Sequence, residues 1–257
     1  MPIPVSAIII TKNAGRTIER CCASLAGLVD EIVVVDCGSV DATLDIARKH
    51  TPHVFHQDWL GYARQKQVAI DKTRNDWVLW IDADEEVSPG LRQELSRRPL
   101  DGADGFFIPR LVWYLGGWVR HCGWYPAPVL RLFKKNKGRL SDAIIHESVR
   151  LNGVAGRLDN PLYHYPYRNI AHHLEKMREF TDLGAQSLCA RGRRVAVADA
   201  PLHAMGRFLR MYFLKAGFLD GFRGMVICVL GACSVFLEYA AAWEMQHRAH
   251  AAPPERK

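Results

Sequence analysis

Val5 to Ile10, Glu31 to Val35, Val54 to His56 and Trp77 to Ile81 are short runs rich in β-branched and aromatic residues, and stretches of helical spacing separate them. Ile18, Cys22, Leu25 and Leu28 recur at helical intervals after the first run, and Thr43 to Lys49 and Tyr62 to Lys72 carry the next two predicted helices. This strand–helix alternation constrains the fold more than any other feature of the chain. Successive strands joined by helices run parallel, with right-handed crossovers, and build a sheet covered by helices on both faces. The runs are continuous rather than alternating in polarity, as strands buried on both faces require. The expected class is α/β, with a mostly parallel, Rossmann-like sheet flanked by helices.

In such sheets ligands bind beyond the carboxyl ends of the strands. Thr11, Lys12 and Asn13 follow the first strand, Asp36 ends the second, Asp58 follows the third, and Asp82-Ala83-Asp84 follows the fourth. Paired acids at the end of a buried strand cost several kcal/mol each if left without partners. Mg²⁺ or Mn²⁺ is a fitting partner, because such ions are held by one or two carboxylates together with a bound diphosphate. The competing reading is a solvated acidic turn, Asp82 to Glu86, before a helix capped by Ser88 with Pro89 at its first position. Asp41 reads as another helix cap.

The remainder is less regular. Trp113, Tyr114, Trp118, Trp124 and Tyr125 crowd a stretch rich in Gly and Pro, where aromatics line sugar or base sites or simply fill a core. Val129 to Phe133 reads as a strand, and Ala143 to Val149 as another that carries His146 and Glu147. His172 to Cys189 reads as a helix, and His203 to Phe218 reads as a basic-aromatic helix that mixes Arg207, Arg210 and Lys215 with aromatic residues. Gly224 to Leu237 is free of charge and ends at Glu238. A typical membrane span needs about 20 apolar residues, so this run reads as buried or interfacial. Shallow docking on an anionic leaflet and packing as a helical pair on the rest of the protein both suit it. The boundaries expected are 1–165 for the α/β domain, 166–246 for a helical extension and 247–257 for a disordered tail.

Composition bounds the partners. The 257 residues carry a formal net charge of +7, which favours anionic ligands. Positive charge gathers late in the chain beside apolar segments rather than along a recognition element, which argues against nucleic acid. Seven cysteines, an odd number without a C-x-x-C pair, do not suggest a disulfide framework or a zinc site and point to a reducing cytoplasm. Met1 to Ser6 lacks the basic segment and cleavage site of a signal peptide.

Ser6-Ala-Ile-Ile-Ile-Thr-Lys-Asn13, Val34-Val-Asp-Cys-Gly-Ser-Val-Asp-Ala-Thr43 and Trp80-Ile-Asp-Ala-Asp-Glu-Glu86 resemble the successive motifs of family 2 glycosyltransferases with the GT-A fold. Gly61-Tyr62, Gln65-Lys66, Ile144-Ile-His-Glu147 and Phe218-Leu-Asp-Gly-Phe-Arg-Gly224 resemble the lipopolysaccharide inner-core β-glucosyltransferases. The resemblance implies an inverting enzyme that takes a hexose, glucose by preference, from a UDP-sugar to an anionic lipid-linked oligosaccharide, in the heptose region of the core. Another cell-surface glycan is the alternative acceptor. The enzyme would be cytoplasmic and peripheral on the cytoplasmic face of the inner membrane.

It also implies roles. Thr11, Asn13, Asp36, Gly38 and Ser39 would hold uracil and ribose, and Lys66 or Arg64 would face the base or phosphate. Asp82 and Ala83 would join the nucleotide site. Asp84, with Asp82 partly through water and with His146, would hold the cation, and Arg131 would touch the diphosphate or acceptor. Glu147 would be the catalytic base, with Asp142 as the alternative. Cys37, Val40 and Gln67 depart from the usual pattern, and Cys37 suggests thiol sensitivity. A sugar-phosphate nucleotidyltransferase would carry a Gly-rich basic loop that Thr11-Lys-Asn-Ala-Gly15 matches poorly. A non-catalytic sugar-nucleotide-binding module would not need the Asp82/Asp84 pair.

Overall fold

A computed structural model describes residues 3–140 and 149–247. The chain divides into two compact units, one formed by residues 1–112 and 125–166 and the other by 113–124 and 167–257.

In the first unit the predicted alternation is realised as β1 (Ile3–Thr11), α1 (Ile18–Leu25), β2 (Val29–Asp36), α2 (Thr43–His50), β3 (Val54–His56), α3 (Tyr62–Asp71) and β4 (Trp77–Trp80). β5 (Glu85–Val87) and α4 (Pro89–Arg97) follow, then β6 (Gly105–Ile108) and β7 (Arg110–Tyr114), whose last two residues pass into the second unit. There the chain forms β8 (Gly117–Val119), and it returns to the first unit for β9 (Val129–Lys134), β10 (Gly138–Leu140), β11 (Val149–Leu151), β12 (Ala155–Arg157) and β13 (Leu162–His164).

The principal sheet has the order β12-β6-β9-β4-β1-β2-β3. β1 pairs in parallel with both β2 and β4, and β2 with β3. β9 runs antiparallel between β4 and β6 and is the exception in a mostly parallel sheet. Strand alternation sends Ala7, Ile9, Val34 and Leu79 into one buried layer, and Ile8, Val33, Val35 and Val78 into the other. Both faces are therefore covered, which is why these strands read as unbroken apolar runs. Ser88 caps α4 as expected, its hydroxyl accepting from Leu91 N at 3.1 Å, with Pro89 at the first helical position.

The second unit is helical, with α5 (Ile170–Ala190), α6 (Asp199–Leu209) and α7 (Gly221–His247). Two sequence expectations need correction here. His203 to Phe218 is not one helix: α6 ends at Leu209, a π-turn covers Arg210–Leu214, and a 3₁₀ turn covers Gly217–Asp220. Glu238 ends the charge-free run but not the helix, because α7 continues nine residues beyond it to His247. Gly217–His247, 31 residues, is long and apolar enough by composition to cross a membrane. A lone glutamate is a good helix former and has no power to stop a helix that packing continues.

The Phe218-Leu-Asp-Gly-Phe-Arg-Gly224 motif has a structural explanation. Buried Asp220 accepts from the backbone N–H of Arg120 (3.2 Å) and His121 (2.8 Å), and it also meets the His121 ring at 3.0 Å and the Cys122 thiol at 3.9 Å. Gly224 lies so close to Gly217 O that a Cβ would sit 1.9 Å from it, so only glycine fits.

Candidate functional site

The carboxyl edge of β1, β2 and β4 carries three groups of polar residues. In the first, register sets Thr11 beside Asp36. Asp36 is buried and accepts from Gly38 N and Ser39 N, both at 2.9 Å, and from the Ser39 hydroxyl. Gly38 has φ +88, a conformation that L side chains rarely take. Ser39 Oγ in turn accepts from Asn13 N at 2.8 Å, and Asn13 Oδ1 accepts from Val40 N at 2.9 Å. Asp41 accepts from Gly15 N and Thr43 N, both at 3.0 Å, so it ties the two loops together just ahead of α2. The result is a loop pair locked by its own carboxylates, and the buried Oγ1 of Thr11 has no hydrogen-bond partner among the described residues. Asp58, by contrast, is exposed, and its side chain meets His56 at 3.2 Å.

The second group surrounds Asp82. β9 runs antiparallel to β4, which brings Arg131 to the end of β4 where the acids stand. Arg131 Nη2 donates to Asp82 Oδ2 at 2.5 Å and to Glu85 Oε1 at 2.8 Å, and its guanidinium lies 4.5 Å from the Trp80 ring. Trp80 Nε1 donates to Asp82 Oδ1 at 2.9 Å, and Lys66 Nζ stands 3.7 Å over the same indole. Burial opposes ionisation of Asp82, but Arg131 and Lys66 outweigh it and hold the carboxyl well below its usual range. Glu85 is fully buried, which lifts its pKa against the pull of Arg131. It accepts from Asp82 N at 3.0 Å and lies 3.8 Å from Arg110. Asp82 thus sits among fixed cations.

Asp84 belongs to a third group. β13 pairs antiparallel with β5, placing His164 opposite Glu85, and Tyr165 N donates to Asp84 O at 2.9 Å. His164 Nε2 lies 3.6 Å from Asp84 Oδ1, and both side chains are partly open to solvent. Beyond them Tyr165 donates to Glu86 at 2.8 Å, and Arg20 stacks 4.3 Å from the Tyr165 ring. Burial, then Glu86, pushes the Tyr165 hydroxyl up to about 12.

Among the predicted site residues, the structure brings Thr11, Asn13, Asp36, Gly38 and Ser39 together, and Lys66, Asp82 and Arg131 together. Ala83 packs against the core beside them. Glu147, His146 and Asp142 lie outside the described residues, as does most of the expected 143–149 strand. Sequence reasoning missed Glu85 and His164. Glu85 was hidden in an acidic turn, and its signal was the Val87 that follows at alternate spacing, marking a short buried strand. His164 carried no signal, because only strand pairing relates it to a residue eighty positions earlier. One carboxylate and one imidazole facing each other form a donor set to which a divalent cation and a diphosphate can add. Among the described residues no group of three His, Cys, Asp or Glu side chains stands ready for a metal by itself.

Cys37 follows Asp36 in the first group. Its thiol donates to Thr11 O at 3.3 Å, and burial followed by Asp36 pushes its pKa up. The nucleophilic thiolate is therefore disfavoured.

Similarity to known proteins identifies the family. The profile of glycosyl transferase family 2 matches residues 6–144. An uncharacterized glycosyltransferase of Rickettsia typhi is 30% identical over 254 residues, 94% of this chain and 87% of the relative. The lipopolysaccharide core biosynthesis glycosyltransferase LpsC of Rhizobium meliloti is 29% identical over 98% of this chain and 96% of its own. Among solved structures, S. aureus TarS (residues 1–349) aligns with a TM-score of 0.46 at 13% identity, covering 96% of this chain and 92% of that one. With the family profile covering more than half of it and a relative 30% identical along nearly its whole length, the chain belongs to glycosyl transferase family 2.

Proposed function

We propose that the protein is an inverting hexosyltransferase that moves glucose from UDP-glucose to the heptose region of a lipopolysaccharide core. The observation that carries this reading is the Asp84–His164 pair at the carboxyl edge of the sheet, 3.6 Å apart beside a fixed Arg131–Asp82 pair. Asp84 would hold Mg²⁺ or Mn²⁺ through its carboxylate together with the bound diphosphate, and His164 beside it would add a nitrogen donor. When bound, the cation neutralises charge on the departing UDP. Asp82 has a different part: each of its oxygens already accepts a hydrogen bond, one from Arg131 and one from Trp80, so it positions the turn that presents Asp84.

The loop pair after β1 and β2 suits a nucleoside. Asp36 spends its acceptors on Gly38 and Ser39, so it holds the loop in shape, and the buried Thr11 hydroxyl supplies an unused polar atom at the base of that loop. Lys66, held over Trp80, adds positive charge where phosphates would approach. Direct displacement with inversion requires a carboxylate that takes the acceptor proton from the far side of the anomeric carbon. Glu147 is assigned this role, with Asp142 as the alternative.

The acceptor assignment is supported by the end-to-end match to LpsC, a lipopolysaccharide core glycosyltransferase. A lipid-linked acceptor would be met at the cytoplasmic face of the inner membrane. The decisive experiment incubates the purified chain with UDP-glucose, UDP-galactose or UDP-N-acetylglucosamine, with Mg²⁺, Mn²⁺ or chelator. A heptose-terminated core acceptor is then added. UDP release that needs metal, and transfer that prefers UDP-glucose, is the expected outcome. No metal-dependent UDP release from any of the three donors would overturn the reading.

A further inference from the structure

The outward face of α6 and α7 is apolar where water should meet polar side chains. Leu202, Met205 and Leu209 are exposed on α6 at intervals of three and four residues, so they share one stripe. On α7 the exposed Phe222, Met225, Val229 and Phe236 do the same, while Ile227, Cys228, Tyr239 and Ala242 fill the opposite, buried side. At the turn between the helices Leu214 is 81% exposed, Phe222 77% and Leu219 61%. A helix apolar on every side is normally buried all round. Here one side is protein and the other is open, which marks a surface built for a second non-aqueous neighbour.

Charge identifies that neighbour. Between Ala200 and Leu237 the only acidic residue is Asp220, which is buried against His121, whereas Arg207, Arg210 and Lys215 are exposed. A cationic rim around an apolar face repels a second copy of itself and matches anionic headgroups. Length and packing set the geometry. Although Gly217–His247 is long and apolar enough by composition to span, its charge-free part, Gly224 to Leu237, extends only about 21 Å as helix, short of the ~30 Å hydrocarbon core. The far end of α7 packs its Tyr239 and Ala242 with Ala185 of α5, a helix rich in charged residues. Crossing the bilayer would drag those charges into lipid.

We propose that this face is an in-plane docking surface for an anionic bilayer. The apolar side chains of α6, α7 and their connecting turn enter the acyl boundary, and Arg210 and Lys215 meet lipid phosphates. The proposal deepens the lipid-linked half of the transferase reading, but it rests on this surface, and its test is separate from catalysis.

The test is flotation of the purified full chain with vesicles of phosphatidylglycerol and phosphatidylethanolamine, compared with phosphatidylcholine alone. The protein is expected to float with the anionic vesicles, and binding is expected to fall about tenfold on phosphatidylcholine or in high salt. Leu214→Glu with Phe222→Glu should lower flotation by about tenfold or more, while UDP-sugar hydrolysis in solution stays unchanged. Arg210→Gln with Lys215→Gln should remove the preference for anionic lipid. Wild-type protein that does not float, or a double glutamate variant that floats like wild type, overturns the proposal. So does a wild-type dimer in vesicle-free solution that the glutamate pair converts to monomer, since the face would then be an interface between copies. Protein that resists alkaline carbonate extraction from vesicles would show a spanning helix and also overturn it. Loss of UDP-sugar hydrolysis in the wild type would bear on the transferase reading alone.

Discussion

The two units bury polar groups by opposite means. The first pairs charges: Arg131 bridges Asp82 and fully buried Glu85, and Trp80 offers both an N–H and a π-face to the same cluster. The second, apart from Asp220 against His121, keeps its buried histidine neutral. His173 is buried, shares a 2.9 Å hydrogen bond with Tyr114, and stacks on Tyr167 with ring centroids 4.0 Å apart. Burial, with His172 and Lys176 nearby, lowers its pKa to about 4. The aromatic stretch that suggested either a sugar site or a core is therefore, at Tyr114 and Trp124, packing around a neutral histidine. Charge pairing places fixed fields beside a reaction site, where developing charge can use them. Neutral packing gives a unit that holds its shape and presents a surface.

The widest separation between the two is expected in catalysis. Asp84→Ala should reduce metal-dependent UDP-sugar turnover by about 10³-fold, and His164→Ala by about 10²-fold, with little change in melting temperature. An Asp84→Ala enzyme that turns over normally would break the comparison, since the charged edge would then be structural only. Next comes stability in the first unit. Arg131→Met removes the one cation that hydrogen-bonds both Glu85 and Asp82 among the described residues and should cost about 3–5 kcal/mol in denaturant titration. Adding Glu85→Gln should restore part of that loss, and strict additivity of the two changes would show that they do not interact.

Acid separates the units by a smaller amount. The folded pKa of His173 lies below its unfolded value of 6.5, so the unfolded chain binds the extra proton first. Its contribution is complete above about pH 6.5 and is lost as pH falls toward 4, a change of about 3 kcal/mol. His173→Phe should flatten that slope in thermal melts between pH 7 and 4. Asp82 behaves differently: its depressed pKa keeps its contribution in place through this window, and it fails only when pH falls below the ordinary carboxylate range. A pH slope unchanged by His173→Phe would assign the acid response elsewhere. The smallest effect expected is at Cys37, which a raised thiol pKa should leave almost unlabelled by iodoacetamide at pH 7 over minutes; rapid labelling with loss of turnover would revive the thiol-sensitive reading.

What could be read in advance follows the range of the interactions. Asp36 with Gly38 and Ser39, Asp41 with Thr43, and Ser88 with Leu91 are contacts within a few residues, and their residue types announce them. The four strands and three helices up to Trp80 were legible for the same reason, since burial on both faces writes itself as continuous apolar runs. Arg131 was visible as a candidate, but its partner was not. Whether it reaches the acids depends on β9 running antiparallel to β4, and a single strand carries no mark of its direction. His164 was invisible, because β13 meets β5 only through sheet pairing. The extent of α7 was misjudged because one glutamate looked like a boundary, while the helix is held by what packs on it.

By itself the sequence determined the parallel α/β core, the edge where polar residues gather, and the family, because local periodicity and short motifs encode these directly. Tertiary structure alone decided that Asp82 is neutralised by Arg131, that Asp84 faces His164, and which sides of α6 and α7 remain uncovered. Each of those depends on residues brought together by strand pairing or helix packing, and the free energy of such contacts belongs to the pair rather than to either residue.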